Sequence, residues 1–135
     1  MLTGKEIMIG NWVYSTFAEH PCKVEGIEWT ESGYAYVKIS GVDGYKCIES
    51  LSPIPLTTDI FEKMGWEKRN DAYIYYDSEH EYQIIFMPKE YNYTHFYNYI
   101  DASIGCITIR EMPITYLHEL QNLMRLCGIK KEIEL

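Results

Sequence analysis

The chain has 135 residues, of which 47% are hydrophobic, 24% charged and 15% aromatic. A disordered chain could not offset its ordering entropy without such apolar content, so the composition excludes disorder and predicts one folded domain. Twelve Lys and Arg against twenty Asp and Glu give a net charge of −8. That disfavours a general nucleic-acid binder, whose affinity rests on a basic footprint.

The opening residues Met1 to Met8 lack the long apolar stretch and cleavage site of a secretory signal. No run approaches the roughly 18 apolar residues that a membrane span needs. The sequence therefore predicts a cytoplasmic protein. Cys22, Cys47, Cys106 and Cys127 are widely spaced and form no Cys-x-x-Cys pair. Without a signal they read as reduced thiols rather than two disulfides.

In chain order, a helical turn is expected at Thr3–Met8, followed by a strand over Asn11–Thr16. The second strand, Cys22–Trp29, changes phase at Gly26, which predicts a β-bulge. Tyr34–Ser40 alternates cleanly, with Ala35, Val37 and Ile39 on one face and Tyr34, Tyr36 and Lys38 on the other. Asp43-Gly44 signals a hairpin turn into Tyr45–Glu49. These four strands predict a small SH3-like antiparallel sheet, the N-terminal lobe of about residues 1–52.

Two prolines in Ser52–Leu56 remove backbone donors and make this segment a connector. Thr57, Thr58 and Asp59 cap a short helix, Ile60–Met64, with Gly65 at its end. An aromatic meander follows: Ala72–Tyr76, Tyr82–Met87, Thr94–Ile100 and Ile104–Arg110. After Pro113 the spacing of Leu117, Leu120, Met124 and Cys127 predicts a C-terminal helix over Thr115–Cys127, ended by Gly128. The meander is expected to pack its apolar face on this helix. The tail Ile129–Leu135 alternates and reads as an edge strand. The expected fold class is α+β: a small SH3-like sheet, an antiparallel aromatic meander, a short connecting helix and a C-terminal helix. Residues 1–135 form one domain, its second lobe running over about 53–135.

Catalytic signatures are absent from the sequence. There is no phosphate loop and no nucleophile elbow. His118-Glu119 starts like a zinc-protease helix, but Asn122 stands where the second histidine belongs. Glu79, His80 and Glu81 read as a solvated turn, although general acid–base chemistry needs only two well-placed groups.

Eight tyrosines lie between Tyr73 and Tyr99, together with Phe86, Phe96, His80 and His95. Tyrosine suits a pleated, half-buried surface, and it also suits protein interfaces. The sharper reading is a small-molecule pocket, in which rings stack on a base and hydroxyls bond ribose or phosphate. Its candidate residues are Tyr73, Tyr75, His95, Tyr97, Tyr99, Thr108, Arg110, His118 and Arg125. Arg110 or Arg125 would supply the phosphate contact, despite the net −8, because distant exposed charges are screened.

Three blocks, MIGNWVYS, SPIPLTTDIFEKMGW and ITYLHELQNLMRLCGIKKEIEL, resemble a family of small proteins from gut anaerobes and their phages and mobile elements. The resemblance implies provenance, and by analogy a phage anti-defence role. The protein would sequester a cyclic nucleotide or ADP-ribose-type immune signal in the cytoplasm of the host, without cleaving it. The ligand would be a small anionic nucleotide. No cofactor, metal, nucleic-acid duplex or membrane partner is expected, and a homodimer is left open. The alternatives are a protein–protein interaction module that inhibits a host protein and a phosphodiesterase that uses His80 or His95.

Overall fold

The computed structural model describes residues 2–70, 72–77, 82–87, 93–98, 105–109, 114–126, 128–129 and 132–135; for 77, 82–85, 87, 93–98 and 105–109 the backbone alone is described. The fold is mixed α+β: two antiparallel five-stranded sheets and two α-helices. The chain divides into two compact units. The first comprises residues 1–55, 116–128 and 135; the second comprises 56–115 and 129–134.

In the first unit, β1 (Trp12–Ser15), β2 (Cys22–Trp29), β3 (Ala35–Ile39), β4 (Lys46–Cys47) and β5 (Leu51–Ser52) pair in the order β4-β3-β2-β1-β5. The alternation of β3 becomes its burial pattern: Ala35, Val37 and Ile39 are buried, while Tyr36 and Lys38 are exposed. The register of β2 against β3 slips between Val24 and Gly26, which is the expected bulge. Val13, Cys22, Val24, Val37, Ile39, Ile48 and Leu51 close the core of this sheet.

Two local expectations fail here. The segment Tyr45–Glu49 is not one strand: β4 stops at Cys47 and a 3-10 turn takes Ile48–Ser50. The Ser50 hydroxyl donates to the Cys47 carbonyl at 2.7 Å, and the turn buries Ile48. Thr3–Met8 holds the expected turn, a single one around Gly4, Lys5 and Glu6 in which the Glu6 N–H donates to the Thr3 carbonyl at 3.1 Å. Gly4 explains the tight course, because a Cβ there would collide with Ala35 and Trp29. Ser52, the expected first residue of the connector, instead joins Leu51 in an edge strand that pairs with β1 before the first proline.

The helix α2 (Leu117–Leu126) belongs to the first unit, not to the aromatic sheet's unit. Its polar residues explain the assignment. Gln121 accepts from the Trp12 N–H at 2.9 Å and donates to the Gly10 carbonyl at 3.1 Å. Asn122 accepts from the Asn11 amide at 3.0 Å and donates to the Glu6 carbonyl at 2.9 Å. The Glu119 carboxylate accepts from the Tyr116 N–H at 3.0 Å, which is half of a capping box.

In the second unit, α1 (Thr58–Lys63) starts at Thr57, whose hydroxyl accepts from the Ile60 N–H at 3.3 Å. It ends in a Schellman motif. Gly65, at φ +82°, donates to Glu62, and Trp66 donates to Phe61. The sheet runs β10-β9-β8-β7-β6 through β6 (Glu67–Arg69), β7 (Ala72–Asp77), β8 (Tyr82–Met87), β9 (Tyr93–Asn98) and β10 (Gly105–Ile109). The strand β6 is an addition to the expected meander. Its three side chains are exposed and charged, so no hydrophobic period marks it. Asn70, in the left-handed region at φ 55°, turns the chain from β6 into β7. The tail forms no strand among its described residues, yet Ile129 and Ile133 are buried.

Candidate functional site

Three aromatic side chains of the second unit, Trp66, Tyr73 and Phe86, converge on Phe61 of α1. Phe61, on the buried side of that helix, stacks on Tyr73 with ring centres 4.0 Å apart and planes within 8°. Phe86, the cross-strand partner of Tyr73, stacks on Phe61 from 5.4 Å. Trp66 meets the edge of Phe61 at 5.5 Å, and Tyr75 leans on Trp66 at 5.6 Å. Such offset and edge contacts add about 0.5–1.5 kcal/mol each beyond the area they bury.

Beside this stack lies a cavity of about 370 Å³, lined by Leu56, Thr57, Thr58, Phe61, Tyr73, Phe86, Ile114 and Thr115. Phe61, Phe86 and Ile114 are almost fully buried, and Thr57 and Thr115 are exposed. The result is an apolar, aromatic base with a threonine rim. The hydroxyls of Thr58 and Tyr73 bond each other at 2.6 Å. The Lys68 ammonium lies 6.0 Å from the centre of the Tyr73 ring, in cation–π range. No charged side chain is among the described residues that line the cavity.

The predicted site residues fall into separate groups. Tyr73 lines the cavity, while Tyr75 packs on Trp66. The ladder pairs Tyr73 with Phe86 and then Thr94, and Tyr75 with Ile84 and then Phe96. His95 instead pairs with Ile85 and Thr108, and Tyr97 with Gln83 and Cys106. His95, Tyr97 and Thr108 therefore hold register positions one residue out of step with Tyr73 and Tyr75. Tyr99 and Arg110 lie outside the described residues, as do Glu79, His80 and Glu81.

His118 and Arg125 sit on α2, in the first unit. His118 is 2% exposed, and among the described residues its Nδ1 has no hydrogen-bond partner. Burial pushes its pKa down, against the opposing pull of Glu119 and Glu6. The Arg125 guanidinium lies over Gly10, where a Cβ would strike it. Cys22 and Cys47 are free thiols, and burial raises the pKa of Cys22. Among the described residues no group of three His, Cys, Asp or Glu could hold a metal, and no helix is long and apolar enough to cross a membrane.

Sequence reasoning placed the pocket on the tyrosine strands and missed its other wall. The sequence pattern marks Leu56, Thr57 and Thr58 as connector and cap, Phe61 as the apolar face of a short helix, Ile114 as the approach to the C-terminal helix and Thr115 as its first residue. The available signal was the threonine pair directly before an aromatic helical face, which a capping role alone already explained. No protein-family model matches the chain, and no curated protein or solved structure matches it.

Proposed function

We propose that this protein is a non-catalytic binder that sequesters a nucleotide-derived signal through the cavity of its second unit. The carrying observation is the aromatic base of that cavity, built from Phe61, Tyr73 and Phe86. Its volume falls at the small end of ligand pockets, roughly 300–1,000 Å³. An apolar base with a few polar groups at its rim is the usual construction of such a pocket. Lys68 supports an anionic ligand, since it brings one ammonium to the Tyr73 wall. With the resemblance of the three sequence blocks, the reading extends to a phage anti-defence protein acting in the host cytoplasm on a cyclic nucleotide or an ADP-ribose derivative.

Calorimetric titration with cyclic dinucleotides and cyclic ADP-ribose isomers tests this reading. It predicts saturable binding, and the bound ligand is recovered intact after the complex is denatured. Uniformly absent binding would sink the proposal, and a cleaved product would move the protein to the phosphodiesterase class.

A second reading has its own support in the first unit. Phe17, Trp29, Tyr14 and Tyr45 are 55%, 51%, 44% and 43% exposed. Exposed aromatics with one wet end favour protein contacts, so this unit is proposed as the surface of an interaction module. Phe17→Ser and Trp29→Ser would then abolish capture of a protein partner while leaving calorimetric ligand binding intact.

A further inference from the structure

The chemistry of the cavity wall narrows what part of a ligand can enter. Its buried end is formed by Phe61, Phe86 and Ile114, which are 2%, 2% and 3% exposed. A charged group placed against such a surface without a partner is strongly disfavoured. A flat uncharged ring is favoured there by apolar burial. The polar feature of the wall is the Thr58–Tyr73 hydroxyl pair, whose oxygens are 2.6 Å apart.

One hydrogen is shared between those two oxygens. That leaves one hydroxyl hydrogen and the remaining lone pairs, so the pair carries a donor and an acceptor side by side. Adjacent donor and acceptor groups complement the lactam or amidine edge of a heteroaromatic ring. An all-carbon ring could not use them. The volume of about 370 Å³ is small against the range for whole drug-sized ligands, which fits one ring system better than two.

Resting on the binder reading above, we infer that the cavity takes one uncharged heteroaromatic ring of nucleobase type and reads its edge through the Thr58 and Tyr73 hydroxyls. The phosphates of the ligand stay outside, on the side of the wall that Lys68 approaches. The base is therefore the specificity element, and the phosphate contributes a salt-sensitive increment.

The test titrates the intact chain with the nucleosides of the common bases and with their 5′-monophosphates, by calorimetry and by tryptophan fluorescence. Trp66, in edge contact with Phe61, is the expected reporter. A nucleoside of the preferred base binds without any phosphate. Tyr73→Phe keeps the ring stack, Thr58→Val keeps the shape, and each weakens that nucleoside by roughly tenfold. Both variants retain wild-type affinity for toluene, which shows that the cavity is still folded. Lys68→Ala removes the salt dependence of monophosphate binding and spares the nucleoside. Monophosphate binding with no nucleoside binding, or unchanged nucleoside affinity in both hydroxyl variants, overturns the inference and leaves the binder reading standing. Failure of every nucleoside and nucleotide to bind, cyclic ligands included, overturns the binder reading itself.

Discussion

His118 is almost fully buried, and its Nδ1 has no hydrogen-bond partner among the described residues, so its protonation is coupled to folding. Burial lowers its pKa from the ordinary value of 6.5, while Glu119 and Glu6 oppose that shift. A base with a depressed pKa binds its proton more weakly in the folded state than in the unfolded one. Its stabilising effect is therefore complete above about pH 6.5 and is lost as pH falls toward the folded value. Melting temperature measured between pH 8 and pH 5 should drop more steeply for the wild type than for His118→Leu. Parallel curves would show that the histidine does not couple to folding. Gly10 makes a second residue-scale prediction. At φ +92° it holds a backbone conformation that strains any L side chain, and the Arg125 guanidinium above it would have to move aside for a Cβ. Gly10→Ala should destabilise the protein by about 1–2 kcal/mol in urea denaturation, and a neutral substitution would contradict the backbone strain.

At the scale of elements, α2 is held to the first unit through polar groups at sequence separations above one hundred residues. Gln121 and Asn122 each satisfy two partners from the Glu6–Trp12 segment. Gln121→Ala would leave the Trp12 N–H and the Gly10 carbonyl without their amide partner. Such a loss costs about 1–3 kcal/mol when the groups stay buried. A double-mutant cycle of Asn11→Ala and Asn122→Ala should show a coupling of at least about 0.5 kcal/mol; simple additivity would contradict the contact. The helix itself was legible from its apolar spacing and from Gly128. Its docking partner was not, because the hydrophobic period reports only the apolar stripe, whereas amide side chains carry this attachment. The same limit hid β6, whose Glu67, Lys68 and Arg69 have no apolar period. By contrast, the bulge at Gly26 and the caps of α1 were readable, because each depends on one residue's local backbone chemistry. Gly65 belongs to that class, and Gly65→Ala should destabilise α1 by about 1 kcal/mol, measurable as a shift in urea midpoint.

For the whole molecule, the net charge of −8 and the aromatic content bear on different properties. The charge disfavours nucleic-acid association in general, while Lys68 beside Tyr73 still gives a single small anion a local partner. Of the tyrosines, Tyr73 belongs to the cavity wall and Tyr75 to the Trp66 packing, and Tyr14, Tyr36, Tyr45 and Tyr76 are exposed. Two of the eight lining residues, Tyr73 and Phe86, lie on strands that the sequence marks as aromatic. The other six come from residues 56–61 and 114–115, which only the folded chain brings to the same wall.

Blocking the cavity mouth tests the central claim most directly. Thr115 is exposed on the rim, so Thr115→Trp places a bulky ring over the opening. Calorimetry of this variant, against whichever nucleoside or cyclic nucleotide the wild type binds, should show affinity lost by at least about tenfold, with cooperative thermal unfolding of the free protein retained. Wild-type affinity in Thr115→Trp would contradict the account, because the ligand would then be held elsewhere on the molecule.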